Sequence, residues 1–342
     1  MPEPADQADA GDGSLGRVKR VARWADDFQR DHPWAGFPFA VVKKFGDDGA
    51  GNLAALIAYY GFFSLFPLLL VLVTVLGFAL HGDPSLQHRV VTSALGQFPV
   101  IGDQLQKNVG SLSGSGLALG LGLAGTLWGG LGVASAAQTA FNDVWGVPMA
   151  ERPGFVGSLW RNVAVLAVIG VGSVATTGLS GVGSSGSAAA VARVAAVFVA
   201  VWIDVGMFLL AFRLLSAVPV GWRDVALGAF VAGIAWEVLQ LLGTYYVSHQ
   251  LKGASQVYGT FAVVIGLLSW LYLEAQVTLL ALEIDVVRAR HLWPRSLVPP
   301  PLTPADRHAY RIYAKRERYR DEEHVDVDFP KAAGNPSSSS QS

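Results

Sequence analysis

The sequence predicts an all-α integral membrane protein, polytopic, with six transmembrane helices and both termini in the cytoplasm. Three observations lead there. Leu53 to Leu80, LAALIAYYGFFSLFPLLLVLVTVLGFAL, is apolar and has no ionisable side chain before His81. As a helix it would be about 42 Å long, more than the roughly 30 Å of a bilayer core. The composition, 52% hydrophobic and 15% charged over 342 residues, is too apolar for a soluble chain of this size. Five further apolar stretches follow, and Lys and Arg gather in alternate connections between them.

Residues 1–46 read as a cytoplasmic N-terminal segment. The first fifteen, MPEPADQADAGDGSL, are acidic and polar with no apolar h-region, so no cleavable signal peptide is expected and the first span directs insertion. From Gly16 to Val42 five basic residues alternate with Val18, Val21, Trp24 and Phe28 at helical spacing. This pattern fits an amphipathic helix on a membrane surface and also fits a solvated basic helix. Residues 47–290 form the membrane domain. Its first span, 53–80, carries Pro67 near the middle, where a lost backbone donor predicts a kink. Tyr59, Tyr60 and Phe66 form an aromatic patch just before it, suited to helix packing or to a lipid-facing groove.

Asp83 to Ser115 holds two short amphipathic stretches that cannot span and reads as an external loop. The second span, 117–145, contains Gly120, Gly122, Gly125, Gly129, Gly130 and Gly132, small residues that let helices approach closely in lipid. Its GLGLAG matches a dinucleotide fingerprint only literally, since no strand precedes it. Spans at 160–179, 188–215, 225–247 and 259–284 complete the six, separated by a Gly/Ser loop at 180–187, by Pro219 and Gly221, and by 249–258. Residues 291–342, Pro-rich, then basic, acidic and Ser-rich, are expected to be a mobile cytoplasmic tail. The N-terminal segment, the second and fourth connections and the tail hold most of the Lys and Arg, which places them inside.

The run LAALIAYYGFFSLFPLLL, the stretch AAQTAFNDVWG, the join AFRLLSAVPVGWRDVALGAFVAGIAWEVLQ and the close VYGTFAVVIGLLSWLYLEAQVTLLALEIDVV together resemble the YihY/BrkB family of bacterial inner-membrane proteins, from about Lys43 to Arg290. The resemblance implies six membrane helices. It also implies a link to serum resistance and to export of lipid precursors; the family once carried the label ribonuclease BN. Glu274 and Gln276 stand after LYL, where the family commonly has an apolar or small residue.

Ionisable groups at membrane depth cost roughly 2.5 to 3.5 kcal/mol each unless paired or hydrated. Arg193 and Asp204 in the fourth span, Glu237 in the fifth and Glu274 in the sixth are such groups. The three carboxylates lie about 13, 21 and 17 Å from their cytoplasmic helix ends. They suit a polar cavity that exchanges protons or binds a cationic head group; paired across helix interfaces, they would be structural. Arg193 and Asp204 share a helix face but are separated by about 16 Å, too far to pair directly. Asn142, Asp143, Arg213 and Glu283 mark helix ends, where capping and water contact are expected.

With no cysteine, disulfides and thiol catalysis are excluded. The seven histidines are scattered without metal-ligand spacing, and there is no GxxxxGK[ST] loop. No enzyme, metal or cofactor is therefore expected. A net charge of -1 argues against nucleic acid as a partner. The expected partners are membrane lipids, anionic lipid at the basic termini, and a second copy of the chain through the Gly-rich span. The functional expectation is a transporter or flippase of a lipid or amphipathic solute, coupled to protons; the alternative is a non-transporting scaffold that recruits partners through its tail.

Overall fold

A computed structural model describes residues 26, 28–29, 32–79, 116–180, 189–246, 252–297 and 302–329. The basic stretch from Gly16 to Arg23, the external loop 83–115, the Gly/Ser loop at 181–188 and the Ser-rich end lie outside the described residues. Among the described residues eight α-helices are delimited: α1 Pro33–Asp47, α2 Ala50–Ala79, α3 Gly116–Val144, α4 Phe155–Ser180, α5 Ala189–Leu215, α6 Trp222–Tyr246, α7 Lys252–Arg290 and α8 Pro304–Arg316. There is no strand among the described residues.

Helices α4 to α7 are long and apolar enough to cross a bilayer, over Phe155–Thr176, Val194–Leu215, Trp222–Gly243 and Val264–Arg290. Their outward faces are apolar rather than polar: Val174 is 74% exposed, Phe198 64% and Leu241 69%. Exposed apolar surface on this scale calls for lipid as the solvent. The described apolar part of α2 runs over Ala50–Leu65. The helices extend beyond the expected spans at most ends. α7 in particular begins at Lys252 and continues through the polar residues Glu283 and Asp285, because both carboxylates are buried by neighbours instead of facing water.

From α2 to α7, each helix packs on the next in sequence, and α7 closes the ring on α2. The tightest joint is α2 on α3. A methyl group at Gly129 would lie 2.7 Å from Ser64 Cβ and 2.8 Å from Ser64 Cα; one at Gly132 would lie 2.7 Å from the Tyr60 ring, and one at Gly125 2.8 Å from Pro67. Gly125, Gly129 and Gly132 thus form one stripe of α3 matched to Tyr60, Ser64 and Pro67, a stripe of the same spacing on α2. The glycines expected to allow close approach do so at this face. Tyr59 points outward, 54% exposed against Phe63, while the Phe66 side chain lies outside the described residues.

The main core lies toward one end of the ring, where Phe141, Val144, Phe212, Leu215, Val225, Leu279 and Leu282 are buried together. The tail beyond this end departs from expectation. Residues 302–329 do not form a free segment; α8 starts at a capping box in which Thr303 and Asp306 satisfy each other's backbone N–H groups, with Pro304 at the first helical position. Its apolar face then joins a second small core, with Ala309, Ile312 and Tyr313 against Ala40 and Val41 of α1 and Val287 and Leu292 at the end of α7. Gly146 makes this docking possible. It ends α3 at φ +64°, with Val147 N–H donating to Asn142 O at 2.8 Å, and a methyl there would meet Ile312 at 2.2 Å.

Gly129→Ala should place its methyl against the Ser64 backbone and cost about 1 to 3 kcal/mol of stability. Gly170→Ala, with no atom within 4 Å, should not destabilise. Thermal unfolding of the two variants in detergent checks the contrast.

Candidate functional site

Two sets of charged side chains lie on or between the ring helices, and they differ in how they are satisfied. The first sits partway along α5, α6 and α7. α5 and α6 meet where a methyl at Gly233 would come 2.6 Å from Val205 Cγ2 and 2.9 Å from Val205 N. Asp204 adjoins this crossing and is buried, 4% exposed. Glu237 follows Gly233 by one turn, on the same face, and lies within hydrogen-bonding and Coulombic reach of Asp204. Ionised carboxylates only accept hydrogen bonds, so a bond between these two requires a proton on one of them.

α6 and α7 are registered by Gly228 N–H, which donates to Asp285 Oδ1 at 2.7 Å. Counted from that joint, Glu237 lies about 14 Å along α6 and Glu274 about 17 Å back along α7. The three carboxylates expected from sequence therefore occupy one layer on three consecutive helices. Beside it, α6 and α7 border an open apolar groove of about 370 Å³ on the outer surface, lined by Phe230, Ile234, Ala235, Val238 and Val277 among others. Chemically, the layer can hold and release a proton, and the groove can take an apolar chain. Arg193 belongs to α5, but its side chain lies outside the described residues.

The helix-end candidates are occupied by structure. Asn142 Oδ1 accepts from Ala217 N–H at 2.8 Å, tying α3 to the connection after α5. Asp143 pairs with Arg152 at 2.6 Å, and Arg213 lies over the Trp222 ring at 4.0 Å. Glu283, expected to cap a helix and meet water, is instead 0% exposed and pairs with Lys44 at 3.0 Å. The reason is that α1 and α8 cover this end.

Glu283 belongs to the second set, a network of eight charges in two four-member groups that meet at the consecutive Asp47 and Asp48, which sequence reasoning largely missed. Lys44 Nζ, itself buried, also donates to Asp48 and, at 2.8 Å, to Val144 O. Arg316 Nη1 lies 3.5 Å from the same Asp48. Arg295, fully buried, reaches Asp306 at 2.6 Å and Asp47 at 2.8 Å, while Lys43 lies 3.3 Å from Asp306 and donates to Ser296 O. Four cations meet four anions. Burial would raise the Asp306 carboxyl, but hydrogen bonds from Arg295, Ser296 N–H and Thr303 outweigh it and hold the carboxyl at about 2. The signals were present: Lys43 to Asp47 and Lys44 to Asp48 are i, i+4 pairs, and TPAD at 303–306 has the form of a helix start.

A family model described as Virulence factor BrkB matches residues 41–300. The chain belongs to this family. The BrkB match runs from α1 through the ring and stops short of α8, so six members of the network lie within it while Asp306 and Arg316 lie outside. Inner membrane protein YhjD of Escherichia coli (strain K12) is 22% identical over 298 residues, which cover 81% of this chain and 88% of that protein. No solved structure matches the chain. As a BrkB-family chain with helices of membrane-crossing length, it is a membrane protein.

Asp306→Ala would leave Arg295 buried without its closest anion, at a cost of about 3 to 5 kcal/mol. Trypsin should then cut near Arg311 and Lys315 in the variant and spare the parent chain. Because the folded Asp306 titrates below its ordinary 3.8, its stabilising effect is complete above that pH and fades as pH falls from 3.8 toward 2. Hydrogen exchange in α8 across this window should accelerate in the parent and not, from this source, in Asp306→Asn.

Proposed function

We propose that this protein is a six-span transporter of the inner membrane, with both termini cytoplasmic, that moves a lipid or amphipathic solute and couples the movement to protons. The observation that carries the reading is Asp204 facing Glu237 at a glycine crossing of two helices long enough to span a bilayer. Two neighbouring acids are costly to ionise together in an apolar ring, and proton relays in membranes are built from such groups. The apolar groove beside the layer suits an acyl or other hydrocarbon chain.

The proposed topology draws support from two directions. The ring of six consecutive helices is consistent with six crossings. The connections rich in Lys and Arg are also the ones drawn together at one end, where Arg161 Nη1 donates to Ser216 O at 2.6 Å, Arg288 donates to Arg223 O and Arg290 donates to Trp145 O. The name of the Escherichia coli relative, an inner membrane protein, supports the membrane assigned. A scaffold acting through its tail has less support, because α8 commits its apolar face and Arg316 to contacts with the rest of the chain, and Arg318 just beyond it pairs with Glu151.

The test uses liposomes that contain the purified protein, a head-group-labelled phospholipid and a quencher that cannot cross the bilayer. The parent protein should expose inner-leaflet label, and Asp204→Asn should slow this at least tenfold while unfolding at the same temperature. Equal rates in parent, Asp204→Asn and Glu237→Gln would remove the carboxylate pair from the mechanism. Rates equal to those of empty liposomes, with and without a pH gradient, would end the phospholipid reading.

A further inference from the structure

Helix α8 has two faces of opposite character. Its inner face carries Asp306 and the apolar residues of the second core. Its outer face carries His308, Arg311 and Lys315, all exposed, at spacings of three and four that align them within one stripe. Arg290, in the last turn of α7, adds a fourth basic group within Coulombic reach of His308.

These four are not neutralised. Among the described residues the ion pairs use other cations, namely Lys43, Lys44, Arg152, Arg295, Arg316 and Arg318. Arg290 reaches only the Trp145 carbonyl at 3.4 Å, and Arg311 lies 5.8 Å from the Phe329 ring. The acidic segment Asp321 to Asp328 returns along α8 and sets Phe329 against Tyr310, yet none of its carboxylates pairs with the stripe. Burial, then Arg290, Arg311 and Lys315, hold the His308 imidazolium below the usual histidine range. Basic groups gathered on one face against their own repulsion, while eight other charges are balanced nearby, leave room for an anion.

We infer that Arg290, Arg311 and Lys315, with the His308 ring among them as an N–H donor, form a binding site for a phosphate-bearing group, presented by the headgroup of an anionic phospholipid. Guanidinium forks and an ammonium suit phosphate oxygens, and a stripe of separated cations suits a headgroup better than a single carboxylate. Its place suits a lipid as well. α8 packs on the end of α7, a helix of membrane-crossing length, and Trp160 and Trp222 near the same end of the ring are 71% and 51% exposed, as interfacial aromatics are. The site does not require that the protein transport anything.

The full chain in dodecylmaltoside is titrated by thermophoresis with dihexanoyl phosphatidylglycerol, dihexanoyl phosphatidylcholine and inorganic phosphate. Phosphatidylglycerol should bind in preference to phosphatidylcholine. Arg311→Gln with Lys315→Gln should weaken it about thirtyfold, from roughly fivefold per charge near a headgroup. Both side chains are exposed, so the ligand-free unfolding temperature should not move; Arg320→Gln, which alters a basic residue outside the stripe, should bind as the parent does. Unchanged binding in the double variant, or equal binding of the two lipids, overturns the site. If inorganic phosphate displaces phosphatidylglycerol at matched concentration, the site binds phosphate but the assignment to a lipid headgroup falls.

Discussion

Lys44 is the point on which this architecture is fastened. A buried ammonium has three protons to place, and each needs an acceptor, because the cost of leaving a charge unpaired away from water is several kcal/mol. Lys44 donates to Asp48 at the α1–α2 junction and to the carbonyl of Val144 at the end of α3, and forms an ion pair with Glu283 on α7. The last is one of the orphan carbonyls at the negative end of a helix dipole, a favourable place for a cation. One side chain thus fixes three helices. The remaining charges are layered outward from it. Asp48 attracts Arg316 of α8, and the neighbouring Asp47 engages Arg295, which in turn holds Asp306.

The same requirement acts differently in the middle of the ring. There Asp204 and Glu237 face each other and Glu274 lies by Trp270, among apolar side chains and close-packed glycines, with no cation of the network paired to them. At the fastened end a charge is stabilised by its opposite and the geometry is fixed by many bonds. In the proposed transport reading, the ring interior holds a proton between the two acids, which leaves the charge state open to exchange. The fastened end and the carboxylate layer are separated along the helix axes by about ten residues, or roughly 15 Å.

Much of this was legible in the sequence, and what was missed has physical causes. The apolar runs mark the ring helices because lipid demands apolar faces over long stretches, and the glycine spacing of the second run points to the α2–α3 joint. The carboxylates of the layer are visible as isolated charges in apolar context. That Asp204 meets Glu237 is not visible, because it depends on where Gly233 crosses Val205, and a crossing point is set by packing rather than by period. The tail misled for a different reason. Its composition is polar, so it reads as unfolded, yet α8 needs only one apolar face and borrows the rest of its core from α1 and α7. Arg316 and Arg318 look like part of a free basic run, but three-dimensional partners divide that run: these two go to Asp48 and Glu151, and Arg311 and Lys315 are left outside.

That division explains why α8 can be docked and still basic on its surface. A helix that buried its cations unpaired would not dock, and one that neutralised all of them would offer nothing to an anion. α8 resolves the conflict by period: Asp306, Ala309, Ile312, Tyr313 and Arg316 recur toward the bundle, while His308, Arg311 and Lys315 recur away from it. The inner face is bound to the charges that fasten the ring, so the outer face is held at a constant orientation to the end of α7. A basic stripe fixed in this way presents its cations in one plane without the entropy cost that a flexible polybasic tail would carry on meeting the same surface.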